Sequence, residues 1–131
     1  MSIHNGNNAH IKNVHFENIT VHYASIGQGD GNKYLIDFVN VYSPTWSDQH
    51  TKTSLGFIDG VTVKNVKVNN GVSEYLIHIS GVKDSREGYD HDVEHYVKNV
   101  TIDNLIYEGV KLTSSSGKLS IGDYVYQLTI R

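Results

Sequence analysis

One feature of this sequence limits its fold more than any other: an Asn set between two short apolar alternations, met three times. Residues 11–23 read IKNVHFENITVHY, residues 58–70 IDGVTVKNVKVNN and residues 97–109 VKNVTIDNLIYEG. Asn18, Asn65 and Asn104 hold the same place in the three copies. Apolar residues flank each Asn at alternate positions: Val14, Phe16, Ile19 and Val21; Val61, Val63, Val66 and Val68; Val100, Ile102, Leu105 and Tyr107. Period-two alternation marks a strand with one buried face, and the phase breaks at each Asn, so the chain bends there. Asn accepts left-handed backbone geometry more readily than other residues with a side chain, which makes these three positions expected corners.

A second unit lies between the copies: YLIDFVNV at 34–41, YLIHISGV at 75–82 and a degenerate KLSIGDYV at 118–125. Two units alternating at this period predict a solenoid of stacked short parallel strands, all-β, with two strands around each Asn corner and one in the second unit. The expected organisation is one domain over 1–131, with a polar leader at 1–10 and about three rungs near 11–56, 57–95 and 96–131. Asn18, Asn65 and Asn104 would then stack as a ladder. In the second unit Ile36, Phe38, Ile77 and Ile79 should point inward, leaving Asp37 and His78 outward on successive strands about 4.8 Å apart. Ser120 takes the third place. An Asp beside a His can move a proton or hold a hydroxyl-rich ligand, and it can equally be a surface pair of little energetic weight.

Composition narrows the partners. The chain has 131 residues, 38% of them apolar, a net charge of −3, 12 Gly, 9 Tyr, one Pro and no Cys. Such a chain can bury one core, favours sheet, and forms neither disulfides nor thiolate metal sites. The mild acidity, with Lys and Arg scattered singly, argues against a nucleic-acid surface, and no apolar run is long enough to cross a membrane. No secretory leader is recognisable at Met1. Gly27, Gly29 and Gly31 fit no phosphate-loop spacing, and Asp30 with Asn32 supplies only the opening of a calcium loop, so no metal and no cofactor are expected. His91 and His95 stand four apart, but Gly88 and the strand at Val97 leave no room for the helix that a zinc site of that spacing needs. Residues 91–95 therefore read as a solvated loop. The Asn-Ile-Thr at Asn18 and Asn-Val-Thr at Asn99 match a glycosylation pattern by coincidence, Asn18 being a corner.

Two long polar excursions leave the second unit at the same end. Residues 43–56 carry the only Trp, Trp46, which could stack on a sugar ring or cover the flank of the coil. Residues 83–95 are dense in charge, and the two excursions should form one wall of a groove beside Asp37 and His78. The repeat begins almost at once after the leader, so the chain is expected to be a piece of a longer one. Its first rung would then self-associate, end to end or by strand exchange.

The segments VKNVTIDNLIYEG and IKNVHFENITVHY, alternating with the short strands of the second unit, resemble rungs of right-handed parallel β-helix enzymes of the pectin-lyase-like superfamily. The resemblance covers essentially the whole chain and is most like a C-terminal portion of polygalacturonase- and dextranase-type glycoside hydrolases. It implies a polysaccharide or oligosaccharide groove along the second unit, with Asp37, His78, Ser120 and Trp46 as candidate contacts, and an extracellular or periplasmic setting. The Asn-Thr-Asp, Gly-Asp-Asp, Gly-His-Gly and Arg-Ile-Lys signatures of polygalacturonases are absent. Gly29-Asp30-Gly31 and Gly122-Asp123-Tyr124 hold one carboxylate each where hydrolysis needs two. Catalytic carboxylates are therefore expected outside this chain, which alone should be inactive. Two further readings share the fold: a non-catalytic glycan-binding or adhesin/tailspike module, and a polysaccharide lyase. The lyase would need an acidic calcium cluster and a basic residue, a role for which Lys33, Arg86 and Lys118 are poorly placed.

Overall fold

The computed structural model describes residues 1–6, 8–25, 34–41, 56–72, 76–84, 87 and 91–131. These residues are all-β, in thirteen strands. The first seven are β1 (Ser2–Asn5), β2 (His10–Val21), β3 (Ala24–Ser25), β4 (Ile36–Asn40), β5 (Phe57–Val68), β6 (Gly71–Val72) and β7 (Ile77–Ser80). The remainder are β8 (Val82–Lys83), β9 (Glu94–His95), β10 (Val97–Tyr107), β11 (Val110–Lys111), β12 (Leu119–Ile121) and β13 (Val125–Ile130).

Two parallel sheets organise them. The short strands β1, β4, β7 and β12 pair in that order, and the longer strands β2, β5, β10 and β13 form the second sheet. The chain visits the two sheets in strict alternation, and neither sheet closes on itself. Among the described residues each of these sheets thus holds four parallel strands where about three rungs were expected, and the longer sheet also takes in β11. The extra strand of the long sheet is β13, Val125–Ile130, paired with β10, and that of the short sheet is Ser2–Asn5, which the sequence reading assigns to a polar leader and which is a strand paired with β4. Its single apolar residue, Ile3, sits opposite Phe38, and one apolar position in four residues is too little to display a period.

Parallel register makes columns of like residues, and the columns are the core. Ile11, Ile58, Val97 and Val125 form one, Val14, Val61, Val100 and Leu128 the next, and Phe16, Val63, Ile102 and Ile130 a third. The short sheet adds Ile3, Phe38, Ile79 and Ile121. Middle members are fully buried, the end members only partly so, and Ile121 is exposed. Burying a side chain of this size contributes roughly 1.5–3 kcal/mol, so the middle strands carry most of the packing energy. Phe16 and Phe38 stack across the two sheets at 5.8 Å.

The long strands bend twice. Asn18, Asn65 and Asn104 take φ of 58°, 52° and 60° at one corner, and Asn13, Asn99 and Gln127 take 55° at another, where Gly60 has φ 82°. Register sets Gly60 between Asn13 and Asn99. At the far end of β10 the chain folds back as a hairpin, β11 pairing antiparallel through the turn residues Glu108 and Gly109. Both have positive φ, 50° and 81°, the combination of a tight turn that matches strand twist. β8 and β9 form a second antiparallel pair, Val82 opposite His95 and Lys83 opposite Glu94.

Candidate functional site

Ile36 and Phe38 are drawn into the core, so the alternation of β4 turns Asp37 to the opposite face. The same alternation in β7 turns out His78, which lies directly beside Asp37, and Ser120 of β12 lies beside His78. On the other side of β4, Ser2 is opposite Asp37 and His4 opposite Val39. His4 reaches diagonally back. Its Nε2 is 2.5 Å from Asp37 Oδ2, while His78 Nδ1 is 2.8 Å from Asp37 Oδ1. One carboxylate thus receives an N–H from two imidazoles on the two flanking strands.

Exposure assigns the roles. The Asp37 side chain is 10% exposed, against 43% for His4 and 26% for His78. Outward-facing Asp37 is therefore covered by its own partners, and the surface offered to a ligand is imidazole rather than carboxylate. With Asp37 accepting at both oxygens, a neutral His4 carries its proton on Nε2 and a neutral His78 on Nδ1. The Tyr34 ring lies 4.5 Å from that of His78, tilted by 30°. The Met1 ammonium donates to the Leu35 carbonyl at 2.7 Å. Burial lowers its pKa below the usual 8.0, and the Asp37 charge opposes that shift.

This arrangement can orient two imidazoles toward hydroxyl groups. It does not supply the two carboxyl groups that glycoside hydrolysis requires. Among the described residues no group of three or more His, Asp or Glu side chains is placed to hold a metal ion. Trp46, with the excursion around it, lies outside the described residues.

A polar cluster sits under one end of the short sheet. Asn5 Nδ2 donates to Asn40 Oδ1 at 2.9 Å and to the Ala9 carbonyl at 2.8 Å, and Asn40 Nδ2 donates to the Tyr96 carbonyl at 2.7 Å. His95, read from sequence as part of a solvated loop, is 3% exposed. Its Nδ1 donates to the Gly56 carbonyl at 3.2 Å, and its Nε2 is buried without a partner. Pairing of β8 with β9 draws it in. The Asn ladder stands on the other sheet: Asn65 Nδ2 donates to Asn18 Oδ1 at 3.2 Å, and Asn104 Nδ2 to Asn65 Oδ1 at 3.0 Å.

Sequence reasoning missed His4 and the stacking role of Tyr34. The signal for His4 was present but short: in Ser-Ile-His-Asn, Ile3 answers to Phe38, which puts His4 on the face of Asp37. No protein-family model, curated protein or solved structure matches the chain.

Proposed function

We propose that this chain is a segment of a right-handed parallel β-helix that binds polysaccharide across the outward face of its short-strand sheet. It serves as the substrate-contacting part of a polygalacturonase-like glycoside hydrolase of extracellular or periplasmic setting. The observation that carries the reading is the His4–Asp37–His78 bridge, with Ser2 and Ser120 continuing the same row of polar side chains. Hydroxyl-rich ligands are recognised by donors and acceptors held in fixed directions, and a buried carboxylate holds both rings without spending ligand energy on ordering them. Two further features support the reading: the strict alternation of parallel strands between two sheets, and the left-handed corner at every copy of the repeat. With a single carboxylate in the row, the chain binds and does not cleave; the paired carboxylates belong to other parts of such an enzyme.

Isothermal calorimetry against a panel of acidic and neutral plant and microbial polysaccharides tests this. Weak binding is expected for at least one glycan, lost in His78→Ala and in His4→Ala with the far-UV circular dichroism unchanged. Absence of heat with every glycan, or binding indifferent to both substitutions, would overturn it.

A further inference from the structure

Residues 107–118 build a concavity of their own. β10 turns back through Glu108 and Gly109, and β11 takes the edge of β10 at Ile106 and Tyr107. Leu112 then tucks inward, 4% exposed, its N–H donating to the Leu105 carbonyl at 2.8 Å. A turn follows. The Ser116 N–H donates to the Thr113 carbonyl and the Thr113 N–H to Ser116 Oγ, both at 3.0 Å. The chain is pinned again at Lys118, whose carbonyl accepts from the Leu76 N–H at 2.9 Å. Between hairpin and turn lies a cavity of about 360 Å³, within the size range of small-molecule sites.

The lining selects the occupant. Tyr107, Val110 and Leu112 give it an apolar character, and its charged residues, Glu108 and Lys118, are exposed at the rim. Lys118 Nζ stands 5.8 Å from the centre of the Tyr107 ring, while the Glu108 carboxylate acts on the hydroxyl at the tip of that ring. A flat apolar ring suits such walls better than a sugar does, because each hydroxyl buried without a partner costs free energy. The ammonium over the ring favours one anionic group on the occupant, since a charge-assisted N–H···O bond is roughly twice as strong as a neutral one. Glu108 on the same rim repels a second anion.

We propose that this cavity binds a small aromatic monocarboxylate, its ring against Tyr107, Val110 and Leu112 and its carboxylate on Lys118. The site stands independently of the glycan reading, whose His4–Asp37–His78 bridge lies on β1, β4 and β7. Backbone hydrogen bonds hold both walls in place, so binding spends little free energy on ordering them.

Nuclear magnetic resonance titration of the chain with benzoate, and with benzyl alcohol as the uncharged ring, tests the proposal. Shifts confined to residues 107–118 and their neighbours are expected, with a benzoate Kd of about 1 mM, the level that a ligand of about nine heavy atoms reaches. Lys118→Gln should weaken benzoate binding about fivefold or more and leave benzyl alcohol within about twofold. Gly117 also lines the cavity, and a carbon added there meets no atom within 4 Å. Gly117→Leu therefore has room to fill the space and should abolish binding of both probes, with the far-UV circular dichroism unchanged. Absence of shifts around residues 107–118 would overturn the proposal. So would benzyl alcohol binding as tightly as benzoate, or benzoate binding indifferent to either substitution.

Discussion

Asn65 is the one member of its ladder that both gives and receives a hydrogen bond, to Asn18 at 3.2 Å and from Asn104 at 3.0 Å. All three Asn have left-handed φ, so replacement by Ala adds a similar backbone strain of roughly 1–2 kcal/mol at each. What differs is the number of bonds lost, two at Asn65 and one at either end. A net hydrogen bond contributes about 0.5–1.5 kcal/mol. Asn65→Ala is therefore expected to cost about 1 kcal/mol more than Asn18→Ala or Asn104→Ala in urea denaturation. Equal costs at the three positions would show that the ladder carries no energy. This corner is legible in the sequence because one residue type repeats at a break of phase. The corner of Asn13, Gly60, Asn99 and Gln127 is not, since Asn, Gly and Gln all meet its backbone requirement. The three-residue step from Ile11 to Val14 nevertheless breaks phase just as the step from Phe16 to Ile19 does.

Tyr107 ties one element to another. It ends β10, is 7% exposed, and donates its hydroxyl to the Gly71 carbonyl of β6 at 2.9 Å. Burial, and secondly the Glu108 charge, raise the pKa of this hydroxyl above the usual 10.0. A raised folded-state pKa means that the folded protein holds the proton more tightly than the unfolded chain. The contribution to stability is full below pH 10.0 and is lost as pH rises through the folded value. Tyr107→Phe is expected to cost about 1 kcal/mol at neutral pH and to flatten the alkaline fall of the denaturation midpoint. Tyr126, whose hydroxyl is raised by its hydrogen bond to Glu94, keeps part of that fall in both proteins. An identical alkaline profile in the two proteins would assign the titration elsewhere. At this scale the twelve-residue strands declare themselves by pattern. β1 does not, because four residues with one apolar side chain become a strand only through the partner they meet.

Over the whole molecule, protection follows position in the stack. β5 is paired along its length with β2 on one side and β10 on the other, whereas among the described residues β2 and β13 each have one neighbour. Amide exchange in dilute solution is expected to be slowest in β5 and at least about tenfold faster in β2 and β13, since end strands open without the rest. Uniform protection along the stack would instead indicate an all-or-none unit.

The sequence by itself determined what each residue does along its own strand. The alternation selected Ile36, Phe38, Ile77 and Ile79 for the core, the phase breaks marked the Asn corners, and equal positions in the two short units set Asp37 beside His78. These follow from local stereochemistry and burial, which a few neighbouring residues specify. Only the tertiary structure decided how residues meet across strands. It brought His4 to Asp37 from 33 positions away, closed the Asn5–Asn40 cluster over His95, and aligned Glu17, Lys64, Asp103 and Arg131 in one column. Those meetings depend on which edge pairs with which and in what register. That choice minimises the exposed apolar area and the unpaired backbone of the stack as a whole, and no single stretch of sequence contains it.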